Sequence, residues 1–513
     1  MIEHLPVSAS SAAVYQIQVR TAPQPRLSRP SPAMAPPKAA LDFVDFVNAS
    51  PTPYHAVDSA RARLEKAGFQ LIRERESWTS TLKPGGKYYL TRNASALVAF
   101  TIGHKWRPGN SVAIVGAHTD SPCLRIKPVS KRSAYGYNQV GVEAYGGGIW
   151  TSWFDRDLSV AGRVLVQENG NIVQKLVKIE KPILRIPTLA IHLHRQSSFD
   201  PNKETELFPI LDLANAELNK SAEESSEEGE FKPLGAISSR HHPALLNVIA
   251  EDIGTDVASI VDFELLLYDT QKSAVGGLND EYIFSPRLDN LEMTYCSIMG
   301  LIHSTTDASA LDNDSTIRMT VCFDHEEVGS ETAHGARSNL IPAIIRRVCV
   351  IPGSPGSDAS YDHVTDDSTA YEQTLSRSFL VSADMAHAIH PNYAGKHEEA
   401  HRPSMNKGVV IKINANNKYA TNSPGIVLIQ ECARAAKVPL QMFVVRNDSL
   451  CGSTIGPALA AKLGMRTIDI GNPQLSMHSI RETGGSADVE SAIKLFDSFY
   501  KLFGVLEPKI LID

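Results

Sequence analysis

The sequence predicts an α/β protein, a sheet with helices on both faces, interrupted by a β-rich second domain. Two observations carry this prediction. Short apolar runs of strand type alternate with helical patterns over both ends of the chain, as in sheets covered by helices. Between about residues 124 and 275 the alternation stops and closely spaced β-type runs replace it. The chain therefore divides into a leader (1–38), one α/β domain in two pieces (39–123 and 276–513), and an inserted domain (124–275).

The elements follow in order. The leader RTAPQPRLSRPSPAMAPPK is dense in Pro, Ser and Ala and is expected to stay outside the fold, as a disordered tail, a stretch upstream of a second start at Met34, or a targeting segment. Order is expected from Leu41, where LDFVDFV has helical spacing until Ser50-Pro51 stops it. HAVDSARARLEK reads as a second helix ending at Gly68. Strands are expected at Leu97–Ile102, Val112–Gly116, Thr316–Phe323, Phe379–Ala383, Met442–Val445 and Thr467–Ile470. Helices are expected at Leu288–His303, Pro424–Lys437, Pro457–Leu463 and Ala487–Phe503. Inside the insertion, Arg163–Val166, Ile172–Val177, Ile183–Ile186 and Phe263–Tyr268 read as strands. Lys220–Lys232 and Pro352–Ser368 read as solvated loops.

Composition excludes several classes. At 42 % hydrophobic and 21 % charged residues, the 513-residue chain is of ordinary globular type. A net charge of −7 argues against a nucleic-acid partner bound through a broad basic face. No stretch approaches the ~18 unbroken apolar residues of a membrane helix. The six cysteines form no C-x-x-C pair, so they read as buried free thiols in a reducing compartment, with neither a disulfide framework nor a zinc finger indicated.

Three strings follow strands, where α/β proteins place their ligands. In VAIVGAHTD, His118 could bind a metal while Asp120 orients its ring. In TVCFDHEEVGSE, Glu326 and Glu327 are either a solvated turn or a divided pair, one carboxylate on a metal and one taking a proton. The second reading has a chemical basis: zinc lowers the pKa of a bound water to ~7, so a carboxylate serves as its base at neutral pH. FLVSADMAHA contributes Asp384, and Asp289 in SPRLDN and His478 in QLSMHSIRE complete a set of His and carboxylate donors suited to zinc. His387, His390, His397 and His401 are expected to serve loop packing, because Pro391 and Pro403 break any helix that would align them. His325 is expected to turn away from the metals. The glycine run YGGGIW lacks the strand–helix context of a phosphate loop and is given no nucleotide role.

The strings GAHTDSPCLRIKP, YGGGIWTSWFDRDLSVAGRV, LAIHLHR, SPRLDNL, FDHEEVGS, SADMAHAIHPNY, HEEAHRP, KYATN, VRNDSLCGSTIGP and MHSIRE occur in this order over nearly all of residues 41–513. Together they resemble the aspartyl aminopeptidase family of dinuclear zinc aminopeptidases. The resemblance implies a zinc-exopeptidase-like catalytic domain with a mixed sheet, and an inserted dimerisation domain. It implies two Zn2+ per subunit, with His118 on one ion, Asp289 bridging, Glu327 and Asp384 divided between the ions, and His478 closing the second. Glu326 becomes the general base and Asp120 orients His118. The implied reaction removes an unblocked N-terminal Asp or Glu from a peptide through a hydroxide activated by the two ions and Glu326. Lys412 and Tyr419 would receive the acidic side chain, and His192, with His194 as a near decoy, would come from a neighbouring subunit. The implied assembly is a tetrahedral dodecamer of dimers, acting in the cytoplasm, or in the vacuole if the leader is a targeting signal. The rival specificity is a related vacuolar-type enzyme preferring neutral N-terminal residues. The other rival is a cargo or chaperone-like scaffold, against which the intact HTD, DHEE and MHS strings argue.

Overall fold

The computed structural model describes residues 36–193, 195, 198–214, 233–350 and 367–510. The expected loop Lys220–Lys232, residues 352–366 of the expected loop Pro352–Ser368 and nearly all of the leader lie outside these residues, as does His194; the last two residues of the second loop begin a short 3-10 helix, Asp367–Thr369.

Four consecutive apolar strands form the parallel centre of a nine-stranded mixed sheet: Ile317–Phe323, Val112–His118, Phe379–Ala383 and Arg466–Gly471. Every residue of the first three is buried, which explains why they read as unbroken apolar runs rather than alternating ones. Antiparallel Lys87–Arg92 and Ala96–Ile102 extend one side; Val409–Ile413 pairs antiparallel with Arg466–Gly471 on the other. One face is covered by helices Lys38–Ala49, Leu288–Ser304, Ser423–Ala436 and Ser486–Leu506, which contribute Phe43, Tyr295, Leu428 and Phe499 to a single apolar cluster. Leu340–Val348 and Ile455–Leu463 cover the opposite face through Ile341, Ile344 and Leu459.

The segment that broke the alternation supplies a separate antiparallel sheet. Its six strands lie in the order Asn171–Lys178, Leu158–Glu168, Ile260–Asp269, Cys123–Ala134, Tyr137–Tyr145 and Ile210–Leu213. Two expectations need correction here. Ile183–Ile186 is not a strand: Leu184 and Arg185 make only isolated bridges. The region also contains a helix, Pro243–Ile253, whose Leu245, Leu246 and Ile249 close the apolar side of this sheet. Local propensity did not mark that helix, and packing onto the sheet stabilises it.

All six cysteines are free; five are buried and Cys451 is partly exposed. No helix among the described residues is long and apolar enough to cross a membrane.

Candidate active site

Parallel pairing places the ends of the central strands level with one another, with Phe323 opposite His118. The residues after each strand therefore converge at the carboxyl edge of the sheet. His118 ends its strand, Glu326 and Glu327 occupy the turn after Phe323, and Asp384 follows Ala383. Asp289 arrives at the start of Leu288–Ser304, and His478 from the loop before Glu482–Gly485. Residues separated by hundreds of positions in the chain thus form one cluster.

Asp289 lies at its centre. Its Oδ1 is 3.4 Å from His118 Nε2, and its Oδ2 is 3.3 Å from His478 Nε2. Asp384 Oδ1 stands 3.9 Å from the same His118 nitrogen, and Glu327 Oε2 stands 3.3 Å from that of His478. Three donor triads result among these residues: His118–Asp289–Asp384 and Asp289–Glu327–His478, which share one aspartate, and His118–Glu326–Glu327. Glu326 Oε2 lies 3.8 Å from His118 Nε2.

Asp120 sits behind this cluster and is fully buried. Its carbonyl is 3.0 Å from His118 Nδ1, and its two carboxylate oxygens each accept a backbone N–H at 3.1 Å, from Glu326 and Glu327. Glu482 plays a matching part unannounced by any signal in the sequence: it accepts the N–H of Asp289 at 3.1 Å and that of His478 at 2.7 Å. By residue type and spacing it is one more glutamate in MHSIRE, since its burial is set by a separate five-stranded sheet, in which Glu482–Gly485 pairs with Tyr282–Ser285.

The electrostatics call for cations. Burial, reinforced by neighbouring carboxylates, pushes the Glu326 carboxyl up to about 8 and raises Glu327 well above its ordinary value. Asp384 is also raised by burial, to about 6, although Lys412 opposes the shift. Buried carboxylate oxygens of Asp289 (Oδ1) and Glu327 (Oε1) have no hydrogen-bond partner. Unpaired buried acceptors are costly, and a metal ion satisfies them. The oxygen and imidazole donor set suits zinc.

Lys412 and Tyr419 adjoin the cluster. Lys412 is buried; its Nζ donates to the Met385 carbonyl at 3.1 Å, lies 3.7 Å from Asp384 Oδ2 and sits 5.2 Å from the Tyr419 ring centroid. Tyr419 lines a cavity of about 310 Å³ that also includes Lys396, His397, Arg446 and Ser476. His192 is not brought to the cluster in this chain; it lies exposed in a turn. His325 faces His334, ring centroids 4.6 Å apart, and Asp324, in keeping with its expected turn away from the centre. His390 and His397 bond within their own loop, as expected.

A mixed α/β sheet with imidazole and carboxylate donors gathered at its carboxyl edge is an arrangement that metal-dependent hydrolases use. The model of the aminopeptidase I zinc metalloprotease family (M18) matches residues 46–500. The chain is 60 % identical over 492 residues to an aspartyl aminopeptidase of Aspergillus oryzae, covering 92 % of this chain and 98 % of the relative. It is 51 % identical over 476 residues to aspartyl aminopeptidase 4 of Saccharomyces cerevisiae, covering 92 % and 96 %. Among solved structures, a cryo-EM structure of the Ape4 and Nbr1 complex matches with a TM-score of 0.85 at 51 % identity over 93 % of this chain and 87 % of the other. The S. cerevisiae mApe1 dodecamer matches with a TM-score of 0.76 at 30 % identity, over 92 % and 98 %. The chain belongs to the M18 family of zinc metalloproteases and is an aminopeptidase.

Proposed function

We propose that this aminopeptidase removes unblocked N-terminal Asp or Glu from peptides at a site holding two zinc ions per subunit. The observation that carries the two-ion reading is the division of Asp289: one oxygen faces His118 and the other faces His478. His118, Asp289 and Asp384 would hold one ion, and His478, Asp289 and Glu327 the other. Zinc supplies a Lewis acid that polarises the scissile carbonyl and acidifies water at neutral pH. Glu326 is the general base: its carboxylate takes the proton of the attacking water and returns it to the leaving amine. Asp120 orients His118 and, through two backbone N–H groups, the Glu326–Glu327 turn.

The acidic preference is supported by Lys396 at the cavity that Tyr419 lines, by the buried Lys412 between Tyr419 and Asp384, and by the identity to relatives named aspartyl aminopeptidases. Tyr419 would offer its hydroxyl to the substrate carboxylate, with the Lys412 charge behind its ring. His192 would reach the site of a neighbouring subunit. Around it Leu189, Ile191 and Leu193 are 58 %, 67 % and 75 % exposed, an apolar group that a subunit interface would cover. We assign residues 124–275 to dimerisation and the assembly to a tetrahedral dodecamer, which the dodecameric S. cerevisiae relative supports. The free cysteines favour a reducing compartment such as the cytoplasm.

The test is metal analysis combined with Asp-, Glu- and Leu-amide substrates on the purified assembly. Two zinc ions per chain and faster turnover of Asp and Glu are expected; faster Leu turnover would refute the specificity.

A further inference from the structure

The string Tyr145–Gly148, given no nucleotide role by its sequence context, is where the six-stranded sheet meets the catalytic centre. Tyr145 ends the strand Tyr137–Tyr145, is buried, and donates its hydroxyl to Asp120 Oδ2 at 2.7 Å. Two residues on, the Gly147 carbonyl lies 3.0 Å from His478 Nδ1, and the Ile149 N–H donates to the His478 carbonyl at 2.9 Å. Between them Gly146 has φ +76°, and a Cβ there would stand 3.2 Å from Glu327 Cβ. One short stretch of a different sheet therefore touches Asp120, Glu327 and His478.

We propose that Tyr145 and the Gly146–Gly147 backbone are positioning residues for the metal ligands, supplied by the inserted sheet of the same chain. The inference rests on the reading of His118 and His478 as ligands. A carbonyl accepting Nδ1–H fixes the tautomer of His478 and leaves the Nε2 lone pair free for a metal. The Tyr145 hydroxyl fixes the Asp120 carboxylate, which holds the Glu326 and Glu327 N–H groups; without it, Oδ2 keeps only the Glu327 N–H. Burial first, then the charges of Asp120 and Asp324, hold the phenol well above its ordinary pKa, so it acts as a donor. Gly146 is required on two counts, its positive φ and the closeness of Glu327.

Tyr145→Phe isolates the hydroxyl, because the ring and its contact with the Arg125 guanidinium, 3.8 Å from the centroid, are retained. Gly146→Ala is paired with Gly136→Ala as control: Gly136 has φ +84° but nothing within 4 Å of an added Cβ. The three full-length variants would be dialysed against graded dipicolinate and assayed for retained zinc, kcat, KM and apparent Tm. For Tyr145→Phe, zinc should be lost at about tenfold lower chelator and kcat should fall about tenfold or more, with KM and Tm close to wild type. Gly146→Ala should follow it, and Gly136→Ala should behave as wild type. Wild-type zinc retention and kcat in Tyr145→Phe would overturn the proposal, as would a loss that merely tracks a fall in Tm. Equal damage in the two glycine variants would reduce the Gly146 role to backbone strain and overturn that half. A His118→Ala variant separates the two readings: if it keeps wild-type zinc, the ligand assignment itself has failed.

Discussion

The carboxylate of Glu482 joins Asp289 to His478: one oxygen accepts the Asp289 N–H at 3.1 Å, the other the His478 N–H at 2.7 Å. Both donors belong to residues that face each other across the proposed metal site, so one buried side chain sets the spacing of two proposed ligands from distant parts of the chain. Glu482→Gln replaces one acceptor by an NH2 group that must oppose a backbone N–H. The expected result is a roughly 10–100-fold loss of zinc affinity or activity. Zinc titration of the metal-stripped assembly measures it, and an unchanged affinity would remove Glu482 from the positioning of the ligands.

Glu326→Gln separates chemistry from metal binding. The amide cannot carry the proton from water to amine, so kcat should fall by about 10²–10⁴-fold. Zinc content and assembly size should stay as in wild type, because the two triads that share Asp289 do not include Glu326. Metal analysis and steady-state kinetics on the same sample check this; retained turnover would contradict the general-base role.

Lys412 has two jobs in this arrangement. Its charge opposes the rise in pKa that burial imposes on Asp384 and on the buried Asp469, and it stands behind Tyr419, which lines the cavity. Lys412→Leu should therefore lower the ratio of Asp-amide to Leu-amide kcat/KM by tenfold or more, about 1.4 kcal/mol, and also lower the apparent Tm. A normal ratio in a destabilised variant would leave Lys412 a purely structural cation.

His55 predicts a pH dependence remote from the metals. It is buried at the start of Pro53–Lys66, its Nδ1 2.8 Å from Thr52 Oγ1. Burial, with Lys178 adding to it, lowers its pKa from 6.5 to about 4. A folded state that resists protonation loses stability as pH falls from 6.5 toward 4, where the unfolded chain binds the proton first. Between about pH 7 and about pH 5 this group should cost about 2 kcal/mol. The apparent Tm of wild type should drop further over that interval than the Tm of His55→Gln; parallel curves would refute the assignment.

How much was legible beforehand differs between elements. Phe379–Ala383 was read residue for residue, because a fully buried parallel strand is an unbroken apolar run. Pro243–Ile253 was missed, because its apolar face has meaning only against the sheet it covers. His118, Glu327 and Asp384 are visible since each closes or follows such a strand; Asp289 and His478 lack that strand context and enter only as residue types completing a donor set, to which the family strings add the ligand roles.

By itself the sequence determined the chemistry available: imidazoles and carboxylates behind apolar strands, no cysteine pair, and a β-rich interruption of the alternation. These are local properties, written in residue type and short spacing. The tertiary structure alone decided which oxygen of Asp289 meets which histidine, that Glu482 and Tyr145 stand behind this cluster, and that the Gly147 carbonyl lies against His478. Parallel pairing and sheet-to-sheet packing bring together groups hundreds of residues apart, and no local pattern encodes that separation in space.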